Sequence, residues 1–372
     1  MKKNILILYD YFTPAFKAGG PIQSLQNLTD YLQDEFQFSI ITGAFDKGDN
    51  QPLDGIIPDQ WNIRDTIRIY YWKPNLVSMP RLFSLFKTSS GEFLYLNGLY
   101  SLYYNVFPLL FYKKRIVLAP RGMLHPAALK QKRWKKNIYL FLFKKMCWHK
   151  RVTFHATDKE EADYIKTIFG DDVIVKIAPN IPRFFKKKNA LLKKSGKLKL
   201  VSVALISPMK NIDLVLQSLK FVSAIVEYNI YGPVKDSSYW EYCKRIIKEL
   251  PDNIKVHYHG EIKPIMVESV ISQAHAFILP SKSENFAHAI FESFGCARPV
   301  ITSNNTPWKE LGHHSAGWNV NTEDTAEIER TISQLAAMNQ LEYNLFCEGA
   351  YNLAVNYLRN QNFKESYRQL FA

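Results

Sequence analysis

Only four of the 372 residues are cysteine, and Cys147, Cys243, Cys296 and Cys347 lie far apart with no metal-ligand spacing between them. That excludes a zinc-finger or zinc-ribbon framework and gives no disulfide scaffold, so a reducing compartment is the expectation. The chain has no low-complexity tract and no internal repeat. It also lacks any Asp-x-Asp pair, the usual means of holding a diphosphate through a divalent ion. Long hydrophobic runs are scarce. The opening M-K-K-N-I-L-I-L-Y-D offers four apolar residues and no small-residue cleavage site, and reads as a first strand, not a leader. Phe93 to Tyr112 is twenty residues without a charge, but Asn97, Gly98, Ser101, Asn105 and Pro108 interrupt it. A buried strand followed by a helix from about Ser101 to Phe111 accounts for it better than a membrane span.

Acid is missing from one region altogether. Between Lys113 and Arg151 there are thirteen Lys/Arg and no Asp or Glu. The first 199 residues carry 33 basic against 16 acidic side chains, and the remainder 15 against 18. Trp134, Ile138, Tyr139, Phe141, Leu142, Phe143, Met146 and Trp148 interleave with the cations. This pattern fits a basic amphipathic helix on an anionic bilayer, and equally a core-facing helix with a Lys-rich solvated side. Nucleic acid is the third partner for such a patch, but no helix-turn-helix, zinc-finger or RNP signature accompanies it.

What is present is alternation. With 47% apolar residues and 22% charged, the length suits two domains with full cores. Strands are expected at Ile5–Tyr11, Phe38–Thr42, Ile67–Trp72, Phe93–Leu96, Ile116–Ala119, Thr153–Ala156 and Val173–Ile177. After Ala178 a stretch rich in Pro and Lys reads as a solvated connector. A second series follows at Leu198–Leu205, Glu227–Tyr231, Lys255–Tyr258, Ala276–Leu279, Val300–Thr302 and Gly317–Val320. Strands separated by helix-length segments imply parallel, doubly wound sheets. The expected fold class is α/β: two Rossmann-like domains facing a central cleft. The division is 1–180, a basic connector 181–197, a nucleotide-binding domain 198–350, and a C-terminal helix 351–372 packing back on the first.

Glu284 and Glu292 carry the chemistry. They stand eight apart in S-K-S-E-N-F-A-H-A-I-F-E-S-F-G-C-A-R-P-V-I, Ser281 to Ile301, which reads as strand end, loop, helix and strand. A helix N-terminus presents unpaired N–H groups and a positive dipole end to an anion. A carboxylate beside it accepts two hydrogen bonds from a diol. A sugar attached to a diphosphate satisfies both. Two Glu at this spacing on a solvated helix face would carry no function, and it is the apolar surroundings and the Ser/Lys loop that favour the site.

Four segments resemble the family-4 glycosyltransferases of the GT-B fold: G-G-P-I-Q-S-L at Gly19–Leu25, I-V-L-A-P-R-G-M-L-H-P-A-A-L at Ile116–Leu129, V-S-V-A-L-I-S-P-M-K-N-I-D-L at Val201–Leu214, and the Glu-x7-Glu block. The resemblance implies a metal-independent, retaining hexosyltransferase with a nucleotide diphosphate sugar as donor and no cofactor. Its acceptor would be a hydroxyl of a lipid-linked glycan in bacterial cell-surface polysaccharide synthesis. It places Glu284 on the donor sugar, Lys210 on the leaving phosphate, Asn285, Phe286 and Ala287 amides on the diphosphate, and Glu292 on the ribose. Further donor contacts are implied at Gly19, Gly20, Ser207, Asn211, Gly232, Gly260 and Ile262. Arg121 would add catalytic charge, and His125 and His288 are acceptor-side candidates. Leu205 stands where the family usually has an Arg, so half of the cationic clamp is missing unless Arg121 replaces it. An epimerase or hydrolase on the same fold, or a weakly catalytic member of a glycan-assembly complex, remain the alternatives. The expected location is cytoplasmic, at the inner membrane face, with no nucleic acid bound.

Overall fold

The computed structural model describes residues 2–73, 79–88, 91–130 and 133–372. The chain divides into two compact units, one of residues 1–181 with 362–372 and the other of residues 182–361. Both are α/β with an almost wholly parallel sheet, as the alternating pattern leads one to expect.

The first sheet has eight strands: β1 (Lys3–Leu8), β2 (Phe36–Gly43), β3 (Trp61–Arg64), β4 (Ile67–Trp72), β5 (Phe93–Asn97), β6 (Arg115–Ala119), β7 (Val152–Ala156) and β8 (Val175–Ile177). Their order is β3-β4-β2-β1-β5-β6-β7-β8. Only the β3–β4 pair is antiparallel. Central strands such as β5 are buried at every position, which is why they read as unbroken apolar runs. β3 was not expected from the sequence. It is an edge strand with Ile63 facing outward, and its four residues show no buried alternation.

The second sheet contains β9 (Lys197–Val203), β10 (Ile225–Tyr231), β11 (Ile254–Tyr258), β12 (Ala276–Leu279), β13 (Val300–Ser303) and β14 (Gly317–Val320), in the order β11-β10-β9-β12-β13-β14. All its pairings are parallel. One apolar cluster is built around Leu200, Tyr228, Ile278 and Ile332, another around Phe277, Phe291 and Trp308.

Three expectations change. Residues 182–197 belong to the second unit, and not all of them are solvated. Lys193 is buried, its ammonium donating to the Ala336 carbonyl at 2.7 Å and the Met338 carbonyl at 3.3 Å. Pro and Lys content suggests a linker, but carbonyls left open beyond the end of the helix Thr325–Ala337 give that Lys a buried place. The long helix Gln340–Asn360 also belongs to the second unit, and only Asn362–Ala372 returns to the first. There the helix Phe363–Leu370 delivers Phe371 against Phe36, Tyr95 and Phe93, with ring centroids 5.4, 5.5 and 5.7 Å away. Finally, the basic region is not one helix. The helix Arg133–Lys145 ends before a separate one at Trp148–Arg151, Pro126–Lys130 is also helical, and Lys132 lies outside the described residues. Two of its cations bind main-chain carbonyls of the first unit: Arg115 donates to the Ala372 carbonyl, and Arg151 to the Leu109 and Tyr112 carbonyls.

Candidate functional site

In the second sheet the chain runs outward from β9 to β11 and then returns to lay β12 against the other side of β9. The direction of winding therefore reverses between β9 and β12. At such a switch point the loops leaving the two carboxyl ends part, and they open a crevice between them. The loops concerned hold Ser207–Asn211 and Ser281–Ala287.

Lys210 and Glu284 meet there. The Lys210 ammonium donates directly to Glu284 Oε1, and Ser281 Oγ donates to the same oxygen at 2.6 Å. The two loops are also tied through their main chains, Lys282 N to the Met209 carbonyl at 2.9 Å. A third loop, after β13, braces the second: Glu284 N donates to the Asn305 carbonyl, and Ser303 Oγ to the Ser281 carbonyl at 2.5 Å. Lys210 ends a short turn, Pro208–Lys210, and the reversal into the helix Ile212–Leu219 is made by Asn211 at φ 59. Asn tolerates that left-handed geometry better than most residues, and its side chain is anchored on the Thr322 carbonyl at 2.9 Å.

The helix His288–Gly295 starts differently. Its cap is Ala287, at φ 62 and ψ 68, with no side-chain cap bond. A left-handed alanine costs on the order of 1 kcal/mol. It is held by Trp308, whose indole N–H donates to the Phe286 carbonyl at 2.7 Å and whose ring packs on Phe286, Phe291 and Phe294. Among the described residues no acceptor meets the main-chain N–H groups of Phe286, Ala287 or Ala289. Three donors and a helix dipole thus stand open, two residues beyond Glu284, as an anion site requires.

Two turns into that helix, Glu292 is buried, and no hydrogen bond reaches its carboxyl among the described residues. Burial pushes it up to about 8, against a lesser opposing pull from Arg183. A buried carboxyl without partners is costly, and groups that could supply them include the hydroxyls of a ligand.

Other expected residues divide between contact and framework. Gly232, at φ 134, is framework: a Cβ there would come within 1.9 Å of the Ala204 carbonyl oxygen, and its N–H donates to the Gly260 carbonyl at 2.7 Å. Gly260 has open space around it. Beside it, His259 stacks on Tyr231 with centroids 4.4 Å apart and 11° between planes. Ile262 packs against the Phe286 and Phe291 cluster. His288 is buried as the first residue of its helix, its ring 4.8 Å from Phe286.

The remaining expected residues lie in the first unit. Gly19, at φ 81, and Gly20 open the helix Gly20–Leu32 without a side-chain cap. His125 is half-buried, edge-on to Tyr164, and burial lowers its basicity. Arg121, expected as a catalytic charge, stands within a buried hydrogen-bond network. Its guanidinium is buried and donates to Asn97 Oδ1 at 3.0 Å, Asn180 Oδ1 at 2.6 Å and Tyr95 Oη at 2.8 Å. Tyr95 in turn shares a 2.7 Å hydrogen bond with His155 Nδ1, and His155 Nε2 meets the Ala178 carbonyl at 2.7 Å. Burial, with Arg121 nearby, holds His155 down to about 3, so the ring is neutral and Nε2 carries the proton. Arg121 therefore knots β5, β6, β7 and the chain after β8 together.

Sequence reasoning did not single out Ser281, Asn305 and Trp308, which shape the Glu284 loop, nor Asp10. Asp10 lies just past β1, and the first sheet reverses its winding between β1 and β5. Ser101 Oγ donates to Asp10 Oδ1 at 2.7 Å, and burial raises this carboxyl above the usual range. Its position at the end of the first strand was the available signal.

Comparison with known proteins agrees with this geometry. Residues 183–346 match the family described as Glycosyl transferases group 1, a stretch that holds Lys210, Glu284 and Glu292. No curated protein matches the chain in sequence. Sucrose-phosphate synthase from Thermosynechococcus elongatus is similar in structure, with TM-score 0.76 and 14% identity over 100% of this chain and 99% of that one. Anabaena Alr3699/HepE, solved in complex with UDP and glucose, gives 0.72 and 15% over 99% and 100%. WaaG, a glycosyltransferase involved in lipopolysaccharide biosynthesis, gives 0.69 and 10% over 98% of each. At such identities the likeness establishes a shared fold, with two Rossmann-like units. The stretch similar to the group 1 family lies within the second unit.

Proposed function

We propose that this chain moves a hexose, with retention, from a nucleoside diphosphate sugar to a hydroxyl of a lipid-linked glycan during cell-surface polysaccharide assembly. The observation that carries the reading is the Lys210–Glu284 ion pair, set two residues before three unpaired main-chain amides. On binding, the diphosphate takes Lys210 and the amides of Phe286, Ala287 and Ala289. Glu284, still held by Ser281, turns to the sugar hydroxyls. Glu292 receives the ribose diol, and the stacked Tyr231 and His259 border the base.

Charge builds on the departing diphosphate as the sugar–phosphate bond breaks, so an ammonium and fixed N–H dipoles stabilise the transition state more than the ground state. The reading needs no metal ion. It leaves Leu205 apolar, so Lys210 carries the cationic task that the family shares between two residues. Retention fits attack by the acceptor on the face that the diphosphate leaves, with a phosphate oxygen taking the proton.

HepE bound to UDP and glucose supports the donor class, and WaaG's involvement in lipopolysaccharide biosynthesis supports the acceptor class. A panel of nucleoside diphosphate sugars read by thermal shift tests the donor, because a ligand that binds the native state raises Tm by mass action. No shift with any of them, at millimolar concentration, overturns the reading. The lipid-linked acceptor places the enzyme at the inner membrane face. No helix of the described residues is long and apolar enough to cross a membrane, so that contact is peripheral.

A further inference from the structure

We propose that the outward face of the helix Arg133–Lys145 is the surface by which this chain lies on an anionic bilayer, inserting Trp134, Ile138 and Phe141 among the lipid headgroups. The inference rests on the membrane partner proposed above and deepens it, replacing a basic region of nearly forty residues with one helix face.

A helix on the surface of a unit buries one apolar stripe and turns the opposite side to water. This helix has two apolar stripes. Leu140 and Phe143 are buried in the core of the first unit. At about 100° per residue, Trp134, Ile138 and Phe141 fall on the far side of the axis from Phe143. They are exposed: Trp134 by 65%, Phe141 by 64% and Ile138 by 52%. Met146, just past the helix, is exposed as well. Scattered apolar residues on a surface are ordinary, whereas a contiguous stripe that includes Trp marks an interaction site.

Charge selects the partner. Lys130, Arg133, Lys144 and Lys145 are exposed around the stripe, and among the described residues no carboxylate pairs with them. Lys135 lies over the Trp134 ring at 5.2 Å. The neighbouring sequence supplies no acid from Lys113 to Arg151. Aromatic and aliphatic side chains framed by lysine, on a helix about 20 Å long, match the interface of a bilayer with anionic headgroups. A protein partner of this chain would need an acidic, apolar groove, and a second copy would set lysine against lysine. The lipid surface is the occupant that meets both the apolar stripe and its cations.

The test is sedimentation of the full chain with vesicles of phosphatidylcholine alone or mixed equally with phosphatidylglycerol, at low and high salt. The expected result is binding to the mixed vesicles that weakens with salt and is at least about tenfold weaker on neutral ones. Trp134→Ser with Phe141→Ser should lower the bound fraction by about tenfold at either salt. Lys144→Glu with Lys145→Glu should abolish the preference for anionic lipid. All four positions are exposed, so Tm should hold, and the single change Trp134→Ser serves if the pair fails to fold. Wild-type protein that ignores vesicles, binds both kinds alike, or forms a dimer in solution that Trp134→Ser dissociates would overturn the proposal. The nucleotide-sugar thermal shift is measured on the same variants. A lost donor shift with intact vesicle binding would refute the catalytic reading and leave this surface standing, and the reverse result would do the opposite.

Discussion

Lys210 and Glu284, 74 positions apart, form an ion pair at the carboxyl ends of two adjacent strands, each more than four-fifths buried. On the proposed function, Lys210→Ala and Glu284→Ala should each lower turnover of the donor by roughly a hundredfold or more, since that reading gives one the phosphate and the other the sugar. Single-turnover release of sugar measures it. Variants that retain full turnover would remove the site from the chemistry.

Glu292 makes stability depend on pH in an unusual direction. Its folded value is about 8, against about 4.5 for an unfolded carboxyl, so between these limits the native state binds the additional proton. Stability therefore falls as pH rises from about 4.5 to about 8, by an amount on the order of a few kcal/mol at most. Thermal unfolding from pH 5 to pH 9 should show Tm declining, and Glu292→Gln should flatten that decline. The same variant should weaken the thermal shift given by a nucleotide sugar. An unchanged pH profile in the variant would assign the slope to other groups.

Arg121 has three side-chain partners, all buried in the first unit. Arg121→Lys keeps the charge but cannot reach three acceptors from a forked plane. The expected loss is about 3 kcal/mol, the scale of breaking a buried charged network, seen as a lower midpoint in urea. Nucleotide-sugar affinity at a temperature where the variant stays folded should not change. A selective loss of turnover without a stability cost would instead return Arg121 to the chemistry.

Gly232 and Gly260 form a controlled pair. Both have positive φ, 134 and 75, but only Gly232 faces a backbone oxygen where a Cβ would stand. Gly232→Ala should prevent folding of the second unit or lower Tm by well over ten degrees. Gly260→Ala should cost only about 1 kcal/mol, the ordinary penalty of a left-handed alanine. Circular dichroism melts of the two variants decide the matter.

The strands were legible because buried parallel strands carry unbroken apolar runs, as Ala276–Leu279 does. β3 was not, since Trp61–Arg64 is short, half-exposed and paired on one side only. Composition misled at Lys193, where a lysine in a Lys-rich stretch is in fact buried. Of the site, the helix entry and both Glu residues were visible in local pattern. The meeting of Lys210 with Glu284 was not, because spacing along a chain says nothing of which loops a sheet brings side by side. It was available only through the resemblance. Arg121 is the converse case: the likeness supplied the residue, but not its partners Asn97, Asn180 and Tyr95, which no motif connects.

Because residues 362–372 complete the unit that residues 1–181 begin, the second unit is an insertion within the first. On the ribosome, the stretch from Pro182 to Gln361 is continuous and can close as soon as it emerges. The earlier-made portion must wait, its Phe36, Phe93 and Tyr95 rings uncovered until Phe371 is synthesised. Until that late segment follows, the half translated first keeps apolar surface open, the kind of exposure that makes a folding chain prone to aggregate.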